Sequence, residues 1–111
     1  MPLTARASFK NSRVTPRSAT SSANVDKINV ATGPGNTVLA AENSNRTYLT
    51  CRNENNVLGD DIRYDYFDNA NILTEGFLLK ASEAIDLEST QTIYARAVAN
   101  PVLISTDEGV G

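Results

Sequence analysis

The sequence predicts an all-β fold, a small antiparallel β-sandwich or jelly roll preceded by an extended N-terminal arm. Three observations carry that expectation. Apolar residues after position 25 recur with period two rather than 3.6, the mark of a strand with one buried face. Turn-forming clusters of Gly, Pro, Asn, Asp and Ser fall every eight to twelve residues or so, the spacing of short strands in a sandwich. Before that pattern begins, residues 1–24 carry Arg6, Lys10, Arg13 and Arg17, no acidic residue and eight Ser or Thr. Such a segment cannot bury enough apolar surface to offset the entropy of ordering itself. The expected division is therefore an extended basic arm over 1–24 and a β domain over 25–111.

Within the domain each element has its own signal. Val25, Ile28 and Val30 mark a first extended stretch, ended by Gly33-Pro34-Gly35-Asn36, a strong turn sequence. Thr37 to Ala41 is a candidate strand, followed by the turn Glu42-Asn43-Ser44-Asn45. Arg46 to Asn53 is the clearest strand. Strict alternation puts Thr47, Leu49 and Cys51 on the core face and Arg46, Tyr48, Thr50 and Arg52 on the other. The polar loop 54–61 leads to Ile62, Tyr64 and Tyr66, which alternate with Arg63, Asp65 and Phe67. Asp68 to Asn71 closes that strand, and Ile72 to Glu75 reads as a bridging strand or one irregular turn. Gly76 to Lys80, Ala84 to Glu88 and Thr92 to Val98 are three further strands. After Asn100-Pro101 comes a last one, Val102 to Ile104. The tail Thr106 to Gly111 is acidic and Gly-rich, so a loosely held terminus is expected. Ala81 to Ala84 is far too short for a stable isolated helix.

The bulk composition narrows function. The chain has 111 residues, one cysteine and no histidine, so an internal disulfide, a thiolate metal cluster and every His-dependent catalytic arrangement are excluded. Once the arm is set aside, about 85 residues remain, near the lower limit for a self-sufficient core. Help from other chains is the expected remedy. Among bases, Lys10, Lys27 and Lys80 remain, and among acids the local groups Asp60/Asp61, Asp65/Asp68 and Glu83/Asp86/Glu88. Sequence-adjacent carboxylates on turns are ordinarily solvated charge and do not face each other across a cleft as glycosidase acids do. No enzymatic activity, no metal and no cofactor is expected. The acidic, Asn-rich stretch 53–71 lacks the ligand spacing of an EF-hand. Asn45-Arg46-Thr47 matches a glycosylation sequon but reads as a turn entering a strand. No 18-residue apolar run exists to span a membrane, and no apolar stretch follows the leading basic residues. A reducing cytoplasm is the expected folding compartment.

Charge is divided unevenly: the arm is wholly cationic, whereas residues 25–111 hold all 13 acidic residues against six basic ones. The arm's partner should then be anionic. Nucleic acid is disfavoured because the acidic body would be repelled by the same polyanion, although Arg46, Tyr48 and Arg52 with Tyr94 and Arg96 resemble a stacking platform. Tyr48, Tyr64, Tyr66, Phe67 and Tyr94 are candidates for a glycan platform. The stronger expectation is assembly, in which arm cations lie in grooves of a polyvalent surface. There Phe9 and Val14, the sizeable apolar arm residues besides Leu3, act as plugs. The expected partner-binding set is Arg6, Phe9, Lys10, Arg13, Val14 and Arg17. Open sheet edges would also accept a partner's strand or a second copy, giving a homodimer.

Three segments carry a family resemblance: Asn45-Arg46-Thr47-Tyr48-Leu49-Thr50, Gly76-Phe77-Leu78-Leu79-Lys80-Ala81 and Ile93-Tyr94-Ala95-Arg96-Ala97-Val98. Over residues 36–105 the chain resembles small virion proteins of tailed bacteriophages. It looks most like the capsid decoration, staple or cement proteins of the epsilon-fifteen type of short-tailed Salmonella phage. The resemblance implies a jelly-roll domain, similar in fold to carbohydrate-binding modules, on the outer surface of the virion capsid. It implies a non-enzymatic role in capsid stabilisation, clamping adjacent major capsid protein subunits against the pressure of packaged DNA, with assembly in the bacterial host cytoplasm. Similar strand motifs occur in phage tail and fibre components, and the matched residues are strand cores, so no contact residues carry across.

Overall fold

A computed structural model describes residues 21–111, with side chains described from Asp26 onward. Eight strands form: β1 (Ser21–Val30), β2 (Thr37–Ala40), β3 (Arg46–Asn53), β4 (Ile62–Asp65), β5 (Phe77–Leu79), β6 (Ala84–Leu87), β7 (Ile93–Ala97) and β8 (Val102–Val110). One helical turn, α1 (Ile72–Glu75), lies between β4 and β5. The strands make two four-stranded sheets in the orders β1-β8-β3-β6 and β2-β7-β4-β5. Every pairing is antiparallel. Successive strands alternate between sheets, except that β5 returns beside β4. This interleaved order is the jelly roll, and the expected fold class holds.

Alternation builds the core. Leu49 and Cys51 from β3, Ile62 and Tyr64 from β4, Ile93, Ala95 and Ala97 from β7, and Val102 and Ile104 from β8 all pack between the sheets. The small residues on β7 let the sheets approach closely, while Leu39, Leu79 and Leu87 fill the flanks. Gly33 and Gly35 turn the chain between β1 and β2 with φ of +130° and +82°, a region that residues with a Cβ seldom occupy.

Several expectations are corrected. The C-terminal tail is not loose: Thr106 to Val110 belongs to β8, which runs centrally between β1 and β3. Its acidic residues are placed by partners that only the folded sheet supplies. Ile72 to Glu75 is neither strand nor irregular turn but α1, packed against β4 and β7, with Ile72 fully buried. Arg46 does not share the face of Tyr48. A bulge between Arg46 and Tyr48 sets two β3 residues against one of β8, which turns Arg46 to the core side. The proposed Arg46–Tyr48–Arg52 platform therefore does not exist.

The arm residues Arg6, Phe9, Lys10, Arg13, Val14 and Arg17 lie outside the described residues. β1, however, begins at Ser21 and pairs Ser21 with Val110 and Asn24 with Glu108. Residues 21–24, assigned to the arm from composition, are strand. Among the described residues, no helix is long and apolar enough to cross a membrane.

Candidate functional site

Several of the titratable side chains help to hold the fold. Cys51 is buried among apolar neighbours, and that burial pushes its thiol up to about 12, with Arg46 opposing and Asp86 adding to the shift. It stays protonated at neutral pH and is no nucleophile. Burial likewise raises Tyr64 to about 12, helped by Tyr66 and Cys51. Tyr66 is raised for the same reason, with Asp65 and Cys51 adding to it. Tyr64, Tyr66 and Phe77 pack as a ring cluster with centroids 5.4–6.5 Å apart.

The carboxylates serve as braces. Asp60 is buried and accepts from the amides of Asn55 at 3.0 Å and Asn100 at 3.1 Å. The Asn53 amide donates to the Asp60 carbonyl at 2.8 Å. Asp61 accepts the Ala81 N–H, and Glu83 the Lys80 N–H. These bonds knit together the β3–β4, β5–β6 and β7–β8 loops at one end of the sandwich. At the tip of the first loop stand Val57 and Leu58, the latter 99% exposed. Asp65 accepts the Tyr66 N–H and the Asn69 amide. Among the described residues, no group of three or more His, Cys, Asp or Glu is arranged to hold a metal ion.

At the opposite end the organising residue is Arg46, whose side chain is wholly buried. Its Nε donates to Glu108 Oε2 at 2.8 Å. Nη1 donates to the carbonyls of Ser89 at 2.8 Å and Gln91 at 3.0 Å, and Nη2 to the Ala41 carbonyl. The planar guanidinium, with donors in a fixed fork, thus ties β3 to β8 and to both the β2–β3 and β6–β7 loops. Two further bonds join those loops directly: the Asn43 N–H donates to the Thr90 carbonyl, and the Glu42 N–H to the Thr92 side-chain Oγ1. The Asn36 amide pins the third loop, donating to Asp68 Oδ1 and the Asn69 carbonyl at 2.9 Å each.

Between these three loops lies an open trough of about 510 Å³, lined by the aromatics Tyr66, Phe67 and Tyr94 and by the polar residues Glu42, Asp68, Gln91 and Thr92. Of the five aromatics read as a platform, three meet here. Tyr64 is in the core. Tyr48 belongs to the other sheet, where its ring covers Gly109 so closely that a Cβ there would lie 1.9 Å from it. Glu42, Asp68, Gln91 and Thr92 were not foreseen, since only the chain's path brings them together.

The remaining open surfaces are the sheet edges. β1 and β6 flank the first sheet, and β2 and β5 the second. β1 is the longest edge at 10 residues, and the segment bearing the six arm residues is attached at its first residue. A second cleft of about 400 Å³ runs between β1 and β2, lined by Ile28, Val38 and Leu39 with Asp26, Glu42 and Glu108. Over the described residues the fold is an eight-stranded jelly roll. No protein-family model, curated protein or solved structure matches the chain.

Proposed function

We propose that this chain is a structural virion protein that decorates the outside of a phage capsid. In this role it clamps neighbouring major capsid subunits, stabilises the head against the pressure of packaged DNA, and catalyses nothing. The observation that carries the reading is the geometry of β1, a 10-residue edge strand continuous with the cationic segment. An open edge offers a row of backbone donors and acceptors to a partner strand. The cations at Arg6, Lys10, Arg13 and Arg17 would seat the segment on an acidic surface, while Phe9 and Val14 supply apolar contact. Each exposed ion pair contributes at most about 1 kcal/mol, so strand pairing and apolar burial must provide most of the affinity. The braced Val57–Leu58 tip adds a rigid apolar contact with little ordering entropy left to lose. A second copy pairing edge to edge is the symmetric form of the same interaction.

The test compares the full chain with a chain of residues 21–111 on particles stripped of this protein, scored as bound copies after sedimentation. The cut is placed at 20 because residues 21–24 pair with β8. Loss of decoration with the fold retained supports the reading. Unchanged occupancy by the truncated chain would overturn the arm's role, and failure of the full chain to bind particles would overturn the whole proposal.

A further inference from the structure

We infer that the trough between the β2–β3, β4–β5 and β6–β7 loops is a carbohydrate-binding site for a neutral hexopyranose. This goes beyond capsid decoration and uses residues that docking through β1 and the arm does not.

The lining has the two chemistries that a sugar requires together. A pyranose ring has an apolar face of C–H bonds, which packs against the electron-rich face of an aromatic ring. Phe67, 58% exposed, and the half-buried Tyr94 both line the trough. A sugar also carries hydroxyls around its rim, each needing a donor or an acceptor. Glu42 and Asp68 provide carboxylate acceptors, Gln91 an amide that both donates and accepts, and Thr92 a hydroxyl. An apolar peptide would strand these polar groups, and a nucleic acid or acidic sugar would meet two carboxylates. Neutral carbohydrate is the class left with partners for both the aromatic and the polar lining. At about 510 Å³ the trough falls within the common range for small-molecule sites.

The second argument is rigidity. Exposed aromatics on floating loops lose affinity to the cost of ordering them. Here the three loops are tied before any ligand arrives: Arg46 holds the Ala41, Ser89 and Gln91 carbonyls from beneath. The Glu42 to Thr92 and Asn43 to Thr90 bonds close the seam between two of the loops. Asn36 fixes Asp68 on the third. Tyr66, locked edge-on to Tyr64 and Phe77, sets the direction in which the chain enters Phe67. A buried arginine thus serves as the support of a surface site 40 or more residues away along the chain at Ser89 and Gln91.

The experiment is saturation-transfer NMR on the purified full chain. The probes are methyl glycosides and disaccharides of glucose, galactose and mannose at millimolar concentration, with glucuronic acid as the anionic comparison. At least one neutral sugar should show transfer, strongest at the ring C–H positions, with glucuronate at least fivefold weaker. Phe67→Ala and Gln91→Ala, both at exposed positions, should each reduce affinity about tenfold while the amide spectrum stays that of the folded chain. Leu58→Ala, at the far end of the sandwich, should leave affinity unchanged. No transfer to any neutral sugar, a preference for glucuronate, or full binding by Phe67→Ala would overturn the assignment. Particle decoration by Phe67→Ala should match that of the unaltered chain, so the two functions can fail separately.

Discussion

Replacing Arg46 by Met tests whether the buried guanidinium holds one end of the fold together. Methionine approximates the aliphatic stem but offers none of the donors that reach Glu108 and the Ala41, Ser89 and Gln91 carbonyls. Its removal leaves the Glu108 carboxylate, itself only 7% exposed, without its principal cation. Breaking a buried pair in this way costs about 3–5 kcal/mol. A simple sum over the four lost hydrogen bonds would exceed that figure, but the loop carbonyls can turn to water. A domain of this size has a total stability of only about 5–14 kcal/mol, so the variant should be close to half-unfolded under mild denaturant. Urea unfolding followed by circular dichroism gives the value. Arg46→Lys keeps the charge but cannot reach four acceptors at once, so it should also be destabilised. Arg46→Met combined with Glu108→Met removes the uncompensated carboxylate and should recover much of the cost of Arg46→Met alone, because replacing a whole buried pair by apolar side chains is often neutral. A cost below about 1 kcal/mol for Arg46→Met, the level of an exposed pair, would refute the clamp.

Two other predictions rest on single residues. Cys51 and Tyr64 both have folded-state values raised to about 12, from 9.0 and 10.0 respectively. Their contribution is intact below pH 9 and lost as pH rises from 9 through 12, because the unfolded chain releases those protons first. Stability measured by urea midpoint should fall steadily across that window, and Cys51→Ala should flatten its lower part. An equally steep decline in the variant would rule the thiol out as a cause. Gly109→Ala would drive a methyl into the Tyr48 ring and should cost about 1–3 kcal/mol by overpacking. Adding Tyr48→Ala should make the pair cheaper than the sum of the single changes, and strict additivity in thermal unfolding would contradict the contact.

Much of the architecture was legible because it depends on local rules. Period two along residues 46–53 and 93–97 and the turn sequence at 33–36 place the strands almost to the residue. At the C-terminal strand the deciding partners are distant in sequence. Thr106 to Gly111 looked loose because Asp, Glu and Gly are poor strand residues taken singly. In the sheet, Glu108 meets Arg46 across 62 residues and Gly109 makes room for Tyr48. Composition at the chain end carries no trace of either contact. Strict alternation puts Arg46 on the wrong face because a bulge is one extra residue in one strand, invisible to any count of alternation. The turn at Ile72 to Glu75 is helical because Asn69 and Asn71 accept from it. The Ile72 N–H goes to the Asn69 carbonyl, and the Thr74 and Glu75 N–H groups to the Asn71 carbonyl.

The trough was half legible, for a reason that follows from jelly-roll topology. Exposed aromatics can be recognised one at a time, so Phe67 and Tyr94 stood out beside Tyr48 and Tyr64. Sorting them needs the sheet order. Tyr94 alternates outward from the buried Ile93 and Ala95, and the β2–β3, β4–β5 and β6–β7 loops gather at one end only because successive strands cross between sheets. Glu42, Asp68 and Gln91 have no distinguishing local signature; any surface carries such residues. Their convergence is a property of the interleaving, and its rigidity comes from the bulge that turns Arg46 inward. A shift of one residue in β3 would return Arg46 to solvent, release both loops and spread the polar lining. The same irregularity that defeats strand alternation is therefore what makes a defined site at this end of the domain physically achievable.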